Sequence, residues 1–274
     1  MRSLDGTTVL VTGGTNGIGL AAATALAESG ATAVLWGRNP DRGADAARRT
    51  GGRFTSVDLG DLPAVSRAAH DLPSAPLSAL VLNAGAMPLQ RVLTAQGHEL
   101  IWASQVLGHA LMVRILSRRG VLDGNTRIVW VSSGGLYTQT LSLDDLTRER
   151  AYQRHTVYAI AKRAQAELVR CLASNLPTLN VTCMHPGWVD TDAVRHSMPV
   201  FRALTWPILR TPEQGADTLV WLCRRAEPPT SGTFWFDRAQ APLHLNDRTR
   251  QTSVTDAELL NAVWSATEPY LEAT

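Results

Sequence analysis

The chain has 274 residues, of which 45% are hydrophobic and 18% are charged, a composition that fits one globular domain with a substantial core. Its 26 basic residues nearly balance its 24 acidic residues, so neither a polyanion-binding surface nor a nucleic-acid partner is expected. No window carries the roughly 18 consecutive apolar residues of a membrane span. The first residues lack a basic segment followed by an apolar one, so we expect a cytoplasmic protein without a secretory signal.

Three cysteines, Cys171, Cys183 and Cys223, lie far apart within apparent helices or strands. An odd and unclustered set predicts reduced thiols in the core, because disulfides and metal sites need paired or clustered cysteines. The histidines show no metal-ligand spacing either, and no metal is predicted. Three of them are interpreted as structural: His109, His155 and His185.

Short apolar runs alternate with longer stretches of helical periodicity, a pattern typical of repeated strand-helix-strand units. The strand-like runs are 7–12, 32–36, 53–57, 78–83, 127–132, 180–185 and 232–236. Helical stretches lie near 18–29, 41–49, 61–71, 94–118, 153–174 and 212–225. We therefore predict an α/β fold, a single Rossmann-type domain over residues 1–274 with a doubly wound parallel sheet of seven strands. Its ligand-binding edge is expected at the carboxyl ends of the strands.

Two long segments interrupt this alternation at the edge where ligands are expected. Residues 134–152 form a polar insertion after the fifth predicted strand, and residues 188–211 follow the sixth. Because long loops at this edge are commonly functional, we predict a substrate loop at about 188–211. The alternative is that its aromatic side chains only pack against the domain. An amphipathic segment within residues 247–274 predicts a docked, helical C-terminal tail.

Residues 12–19, with the sequence TGGTNGIG, follow the first predicted strand and open the first helix. Glycines at this junction allow a tight turn and a close approach of the backbone to a pyrophosphate. The alternative, that they only make a turn, is disfavoured by the flanking strand and helix. The predicted cofactor contacts in this loop are Gly13, Thr15, Asn16, Gly17, Ile18 and Gly19.

The second predicted strand is followed by Gly37-Arg38, where a dinucleotide fold that prefers NAD usually has a carboxylate. Glycine removes the repulsion between that carboxylate and a 2′-phosphate, and the guanidinium offers a bidentate partner. NADP(H) is therefore favoured over NAD(H), with an ordinary solvated arginine as the alternative. Two further strand ends are candidate cofactor contacts. Asp58 and Leu59, after the third strand, could contact the adenine, and Asn83, Ala84 and Gly85, after the fourth, could lie close to the ribose.

Tyr158 and Lys162 are four residues apart in the fifth long helical stretch, so they share one face of that helix. A tyrosine with a pKa of about 10 is a poor base, and a nearby lysine together with an oxidised nicotinamide is expected to lower that pKa. Such a pair suits proton transfer to or from a carbinol oxygen. Ser133, at the end of the fifth strand, adds a hydroxyl that can polarise a carbonyl.

Several motifs together resemble the short-chain dehydrogenase/reductase superfamily across nearly the whole chain. TGGTNGIG, NAG, Ser132-Ser133, YAIAK and PGWVDT occur in the order of that family. The wide spacing from Ser133 to Tyr158 and the run His185-Pro186-Gly187 resemble the retinol-dehydrogenase-like branch. SSGGLY, DDLTRER, HPGWVDT, EQGADTLVWL and SGTFWFDR are similar to the subgroup of dehydrogenase/reductase SDR family member twelve.

The resemblance implies that the nucleotide loop, the NAG segment and the PGWVDT segment bind the cofactor. It therefore adds four contacts near the nicotinamide: Pro186, Gly187, Val189 and Thr191. The family's catalytic set is Asn-Ser-Tyr-Lys, and its asparagine kinks a helix and holds a water in a proton relay. The corresponding residue here is Gln105, which keeps the amide but adds a methylene. Gln105 either preserves the role, or the relay is rerouted or oxidoreductase activity is impaired.

The resulting hypothesis is NADP(H)-dependent hydride transfer between a carbonyl and a secondary alcohol on a hydrophobic small molecule. Tyr158 is the acid/base, Ser133 bonds the substrate oxygen, and Lys162 holds the nicotinamide ribose. Gln105 motivates an alternative, a non-redox elimination, isomerisation or cyclisation on the same fold. A nucleotide-sensing protein without catalysis is a third hypothesis, disfavoured by the intact Ser-Tyr-Lys set. The resemblance also leaves a homodimer or homotetramer open.

Overall fold

The computed structural model describes residues 1–85, 87–190, 206, 209–252 and 254–272. In these residues eight strands form one sheet in the order β3-β2-β1-β4-β5-β6-β7-β8. The strands are β1 (Thr8–Thr12), β2 (Thr32–Gly37), β3 (Arg53–Ser56), β4 (Ala79–Leu82), β5 (Arg127–Val131), β6 (Asn180–Met184), β7 (Phe234–Phe236) and β8 (Ala239–Gln240). The predicted doubly wound α/β domain is confirmed, and the strand order reverses between β1 and β4.

The sheet has one strand more than the seven predicted. Strands β1 to β7 are parallel, whereas β8 pairs antiparallel to β7. The turn between them, Asp237-Arg238, has φ values of 48° and 59°, the left-handed geometry of a two-residue hairpin. A two-residue strand is too short to show a hydrophobic period, which explains why the sequence did not reveal it.

Helices cover both faces of the sheet. They are α1 (Gly17–Ala27), α2 (Pro40–Thr50), α3 (Leu62–Asp71), α4 (Leu100–Trp102), α5 (Gly108–Arg118), α6 (Arg154–Asn175), α7 (Pro212–Arg224) and α8 (Asp256–Thr267). One apolar core lies between the sheet and α1, α2 and α7, and a second lies between the sheet and α3, α5, α6 and α8. The three cysteines are free and buried in these cores, as predicted.

The predicted helix 94–118 begins later and is less regular than expected. Leu93 and Glu99 form an isolated antiparallel bridge around a turn in which Gly97 has a φ of 79°. The Glu99 carboxylate then accepts a 3.0 Å hydrogen bond from the Trp102 backbone N–H and caps α4. Residues Ala103–Leu107 form a π-helical turn before α5. The capping carboxylate and the preceding bridge therefore explain why the helix begins at Leu100 rather than at residue 94.

The segment Leu100–Arg118 is the one helix within the described residues that is long and apolar enough to cross a membrane by composition. However, 83% of the relevant window is buried inside the domain. Its apolar character is therefore accounted for by its position between the sheet and α3, α6 and α8.

The chain after β8 returns across the second core. It contains a short 3₁₀ segment, Asp247–Arg250, then α8, then a 3₁₀ turn, Glu268–Tyr270. A capping box begins α8, in which Thr255 and Glu258 bond each other's backbone N–H groups. Arg114 of α5 donates to the Trp264 carbonyl and to Thr267 Oγ1, so α8 is tied to α5 by hydrogen bonds as well as packing.

Candidate active site

A cavity of about 730 Å³ lies at the carboxyl ends of the central strands, where the strand order reverses. Most of the residues predicted from sequence to bind cofactor or to react line it together. These are Gly13, Thr15, Asn16, Gly17, Ile18, Arg38, Asp58, Leu59, Asn83, Ala84, Gly85, Ser133, Tyr158, Lys162, Pro186, Gly187 and Val189. Gly19 and Gln105 lie behind this wall, and Thr191 falls outside the described residues.

The glycine-rich loop has the geometry of an anion cradle. Gly13 and Gly17 have φ values of 64° and 53°, which favour glycine. Asn16 caps α1 by accepting a 2.7 Å hydrogen bond from the Gly17 N–H. Glycine is also required at position 19, where the first turn of α1 packs against the loop, because a Cβ there would lie 2.2 Å from the Gly13 carbonyl oxygen. The loop therefore brings a glycine-rich backbone and the N-terminus of α1 to the cavity, an arrangement that fits a pyrophosphate.

Arg38 lines the cavity beside the glycine-rich loop and is paired with Asp58. Their side chains are about half exposed, and Arg38 Nη1 lies 3.8 Å from Asp58 Oδ2. Asp58 also accepts a 2.9 Å hydrogen bond from the Gly60 N–H. A Cβ on Gly37 would lie only 3.0 Å from the Thr15 side chain, so the position is closely packed. The guanidinium is accessible to a phosphate, but the Asp58 carboxylate competes for it.

The end of β4 is held against the glycine loop by one buried hydroxyl. Thr12 Oγ1 accepts the N–H groups of Asn83 and Ala84 at 2.9 and 3.1 Å. The Asn83 amide also donates to the Thr12 carbonyl at 3.1 Å. The predicted ribose-contacting segment is therefore tied to β1, immediately before the glycine loop.

Three of the four predicted catalytic residues, Ser133, Tyr158 and Lys162, come from two neighbouring elements. Ser133 caps the 3₁₀ segment Gly134–Thr138 after β5, and its Oγ accepts from the Gly135 N–H at 3.2 Å. Tyr158 lies in the second turn of α6, and Lys162 follows one turn later on the same face. A hydrogen bond between Ser133 and Tyr158 favours the phenolate, but burial has the larger effect and raises the pKa of Tyr158. The sequence-based expectation of a lowered tyrosine pKa is therefore not met by the protein groups alone.

The position of Lys162 explains this difference. Its ammonium is buried and donates a 2.9 Å hydrogen bond to the carbonyl of Val131, while it lies 5.4 Å from the centre of the Tyr158 ring. Burial lowers the pKa of Lys162 to about 7. The Lys162 ammonium is thus bonded to the end of β5 rather than to the Tyr158 hydroxyl. The lowered pKa predicted for Tyr158 also depended on the positive charge of an oxidised nicotinamide.

Gln105 lies in the π-helical turn and is fully buried. A Cβ on Gly85 would lie 3.2 Å from Gln105 Cδ, so the Gln105 side chain packs directly behind the NAG segment. The Gln105 main-chain carbonyl accepts a 2.7 Å hydrogen bond from Gln165 Nε2, and His109 Nδ1 lies 3.1 Å away. The helix thus departs from α geometry where the family has its asparagine.

The PGWV segment forms the wall beside the catalytic residues. Gly187 has a φ of 78°, and Val189 forms a parallel bridge with Arg210. Arg210 donates its N–H to the Trp188 carbonyl at 2.7 Å, and its own carbonyl accepts from Asp190 N–H at 2.9 Å. The two ends of the predicted substrate loop therefore meet at the cavity.

Six polar cavity residues were not selected from the sequence as site residues: Asn39, Arg42, Ser104, Ser132, Thr138 and His155. Arg42 lies in the first turn of α2, and its N–H bonds the Asn39 side chain that caps this helix. Arg42 follows Arg38 by four residues, and both line the cavity. His155 precedes Tyr158 by three residues, and this helical spacing was the available signal that it faces the same cavity.

Comparisons with known proteins agree with this geometry. The family described as short chain dehydrogenase matches residues 7–199. Dehydrogenase/reductase SDR family member 12 of Bos taurus is 36% identical over 268 residues, covering 94% of this chain and 84% of its own. Polyprenol dehydrogenase of Mus musculus is 31% identical over 283 residues, covering 95% and 82%.

Solved structures agree as well. A 3-oxoacyl (acyl-carrier-protein) reductase from Agrobacterium tumefaciens with NADP bound is 26% identical and has a TM-score of 0.65. The match covers 85% of this chain and 93% of that one. The glycine cradle, the Ser-Tyr-Lys geometry and these matches lead to one conclusion: the chain belongs to the short-chain dehydrogenase/reductase superfamily, in its retinol-dehydrogenase-like branch.

Proposed function

We propose that the protein is an NADP(H)-dependent oxidoreductase that interconverts a carbonyl and a secondary alcohol on a hydrophobic small molecule, with Tyr158 as the acid/base. The observation that carries this proposal is that Ser133, Tyr158 and Lys162 line the same cavity as the glycine-rich loop and Arg38. A hydride donor and a proton donor are both needed for carbonyl reduction, and this cavity has a place for each.

The residues along the cavity suit an extended dinucleotide. The α1 N-terminus and the glycine loop would hold the pyrophosphate, and Arg38 would bind a 2′-phosphate. At the other end Lys162 would donate to the nicotinamide ribose, beside the wall formed by Pro186 and Val189. When bound there, the nicotinamide supplies or accepts the hydride.

The protein groups manage the substrate oxygen and its proton. Because burial raises the pKa of Tyr158, its phenol is protonated at neutral pH and can donate to a carbonyl oxygen during reduction. The Ser133 hydroxyl lies within hydrogen-bonding reach of that phenol and can bond the same substrate oxygen. In the oxidative direction Tyr158 must first lose its proton, which the charged form of Lys162 and an oxidised nicotinamide would favour.

The apolar part of the cavity supports a hydrophobic substrate. The apolar residues that line it include Met87, Leu100, Trp188 and Leu209, and Trp188 is 54% exposed. An apolar pocket with a few polar groups at one point is typical of sites for small lipophilic ligands. The name of the murine relative, polyprenol dehydrogenase, points to the same class of substrate.

The direct test is to incubate the protein with NADPH and a panel of lipophilic ketones, and to compare NADPH consumed with alcohol formed. We expect a one-to-one stoichiometry, with kcat reduced about 10²- to 10⁴-fold in Tyr158→Phe. NADPH binding by Tyr158→Phe, measured by calorimetry, is the control for its fold. Full turnover by Tyr158→Phe would overturn the role of the phenol, and product formed without NADPH oxidation would indicate a non-redox reaction.

A further inference from the structure

A fully buried imidazole connects the cofactor side of the sheet to the catalytic helix. His109 lies at the start of α5, and its ring packs edge-to-face on Trp130 with centroids 5.7 Å apart. Its Nε2 lies 3.0 Å from Thr12 Oγ1, and its Nδ1 lies 3.1 Å from the Gln105 carbonyl oxygen. Both ring nitrogens therefore have polar partners, although the ring does not line the cavity.

The chemistry of these partners determines the tautomer. The Gln105 carbonyl is only an acceptor, so Nδ1 must carry a proton to make a favourable contact with it. Burial lowers the pKa of His109 to about 3, and the nearby Lys162 charge acts in the same direction, so the ring is neutral. Nε2 is then the acceptor.

The Thr12 hydroxyl completes this assignment. Its oxygen already accepts the N–H groups of Asn83 and Ala84, so its own proton is directed to another acceptor. His109 Nε2 at 3.0 Å is nearer than the Val81 carbonyl at 3.2 Å. Donation from Thr12 to His109 therefore satisfies the hydroxyl and the imidazole at once.

The network continues from Gln105 to the catalytic helix. The Gln105 carbonyl also accepts from Gln165 Nε2 at 2.7 Å. Gln165 is buried in α6, one turn after Lys162 and two turns after Tyr158. A continuous series of buried hydrogen bonds thus runs from the ends of β1 and β4 to the helix that carries the catalytic pair.

We propose that His109, as a neutral Nδ1–H imidazole, is a positioning residue that fixes the cofactor-contacting ends of β1 and β4 relative to α6. This inference rests on the proposed function, in which Tyr158 reacts beside a nicotinamide held at those strand ends. Transfer between two bound groups is sensitive to displacements of about 1 Å, so a rigid connection between their supports bears on kcat. A direct hydrogen-bonded connection through the core supplies that rigidity.

Two substitutions separate the two connections of His109. In His109→Asn the amide nitrogen lies near the former Nδ1 and can still donate to the Gln105 carbonyl, but it cannot reach Thr12. In His109→Gln the amide oxygen lies near the former Nε2 and can still accept from Thr12, but it does not bond Gln105. His109→Phe keeps the edge-to-face packing on Trp130 and removes both hydrogen bonds.

We expect His109→Asn and His109→Gln each to lower kcat about tenfold, because each breaks the connection at one end, and only His109→Asn, which releases Thr12, to raise the KM for NADPH several-fold. His109→Phe should show both effects. A wild-type kcat in either amide variant, or wild-type values in His109→Phe, would overturn the proposal.

A measurement on the wild-type protein keeps the test independent of both folding of the variants and turnover. In ¹⁵N NMR of histidine-labelled protein, we expect His109 to show a protonated Nδ1 and an unprotonated Nε2, unchanged from pH 5 to 9. A protonated Nε2, or titration in this range, would refute the assignment even if the enzyme reduces ketones. Conversely, the expected tautomer without any ketone reduction would leave the network intact and count against the proposed function.

Discussion

Lys162 Nζ donates a hydrogen bond of 2.9 Å to the main-chain carbonyl of Val131, the last residue of β5. Burial lowers the pKa of this ammonium to about 7, so the free enzyme at neutral pH holds the charged and neutral forms in similar amounts. Ribose hydroxyls placed beside the lysine would accept hydrogen bonds from the charged form and favour it. Cofactor binding beside the lysine would therefore be linked to protonation of Lys162.

The first prediction follows from this linkage. At pH 8 the Lys162 side chain of the free enzyme is mostly neutral, because its pKa is about 7. Binding of NADPH should then take up roughly 0.5 to 0.9 proton, and affinity should fall as pH rises from 6 to 9. Calorimetry in two buffers of different ionisation enthalpy measures this uptake. Lys162→Met should abolish it, and wild-type binding at pH 8 without proton uptake would contradict the prediction.

The second prediction concerns cofactor preference. Arg38→Asp removes the guanidinium proposed to bind the 2′-phosphate and replaces it with a repelling carboxylate. We expect the KM for NADPH to rise about 10- to 100-fold, whereas the KM for NADH should fall, because an aspartate can accept from the ribose hydroxyls. Steady-state kinetics with both cofactors measures the change. An unchanged NADPH-to-NADH ratio would show that Arg38 is an ordinary surface residue.

Asp58→Asn is the matched variant for that experiment. The carboxylate lies 3.8 Å from Arg38 and competes with a phosphate, while its bond from the Gly60 N–H can be kept by an asparagine oxygen. Because both side chains are about half exposed, the ion pair is weak, about 0.2–1 kcal/mol. The KM for NADPH should therefore fall by no more than about fivefold. A rise in this KM would mean that the carboxylate itself supports cofactor binding.

The positions of the glycine-rich loop and of Tyr158 and Lys162 at one cavity were predictable because their signals are local. The glycine-rich run lies between a strand and a helix, and four-residue spacing on a helix places Tyr158 and Lys162 on one face. The same applies to the parallel sheet, whose strands are short apolar runs. Where local sequence sets the geometry, the prediction and the structure agree.

The features that the sequence did not reveal depend on contacts between distant residues. The ion pair of Arg38 with Asp58 joins the ends of β2 and β3, and His109 was interpreted only as structural until Thr12 was placed beside it. The π-helical turn at Gln105 likewise has no sequence signature of its own. Neither hydrophobic periodicity nor motif spacing predicts these contacts, because they form only when the folded sheet brings the ends of different strands together.

The third prediction addresses the amide that replaces the family's asparagine. Gln105→Asn shortens the side chain that packs behind Gly85, and Gln105→Leu keeps its volume but removes its polar atoms. If the amide holds a relay water, kcat should stay within about threefold in Gln105→Asn and fall about tenfold or more in Gln105→Leu. Stopped-flow measurement of NADPH oxidation reports this rate. Wild-type kcat in Gln105→Leu would exclude the amide from the relay.

The fourth prediction concerns the stability of the segment that carries Ser133. The Arg163 guanidinium is fully buried in α6 and donates to the carbonyls of Leu136 and Leu243 at 2.9 and 2.8 Å. It also lies 3.6 Å from the buried Glu167 carboxylate. Arg163→Met leaves one carboxylate and three carbonyls without this partner, because Arg163 Nε also donates to the Gln139 carbonyl at 3.4 Å. We expect the free energy of unfolding to fall by about 3–5 kcal/mol, measured by denaturant titration.

Arg170→Met provides the comparison on the same helix. Arg170 pairs with Glu167 and Asp256, but its side chain is 46% exposed, so water can replace most of what is lost. Its removal should cost no more than about 1 kcal/mol. Arg163→Met should also lower kcat at temperatures where it remains folded, because the Leu136 carbonyl belongs to the 3₁₀ segment that Ser133 caps. Equal stability of the two variants would show that the buried guanidinium contributes no more than an exposed one.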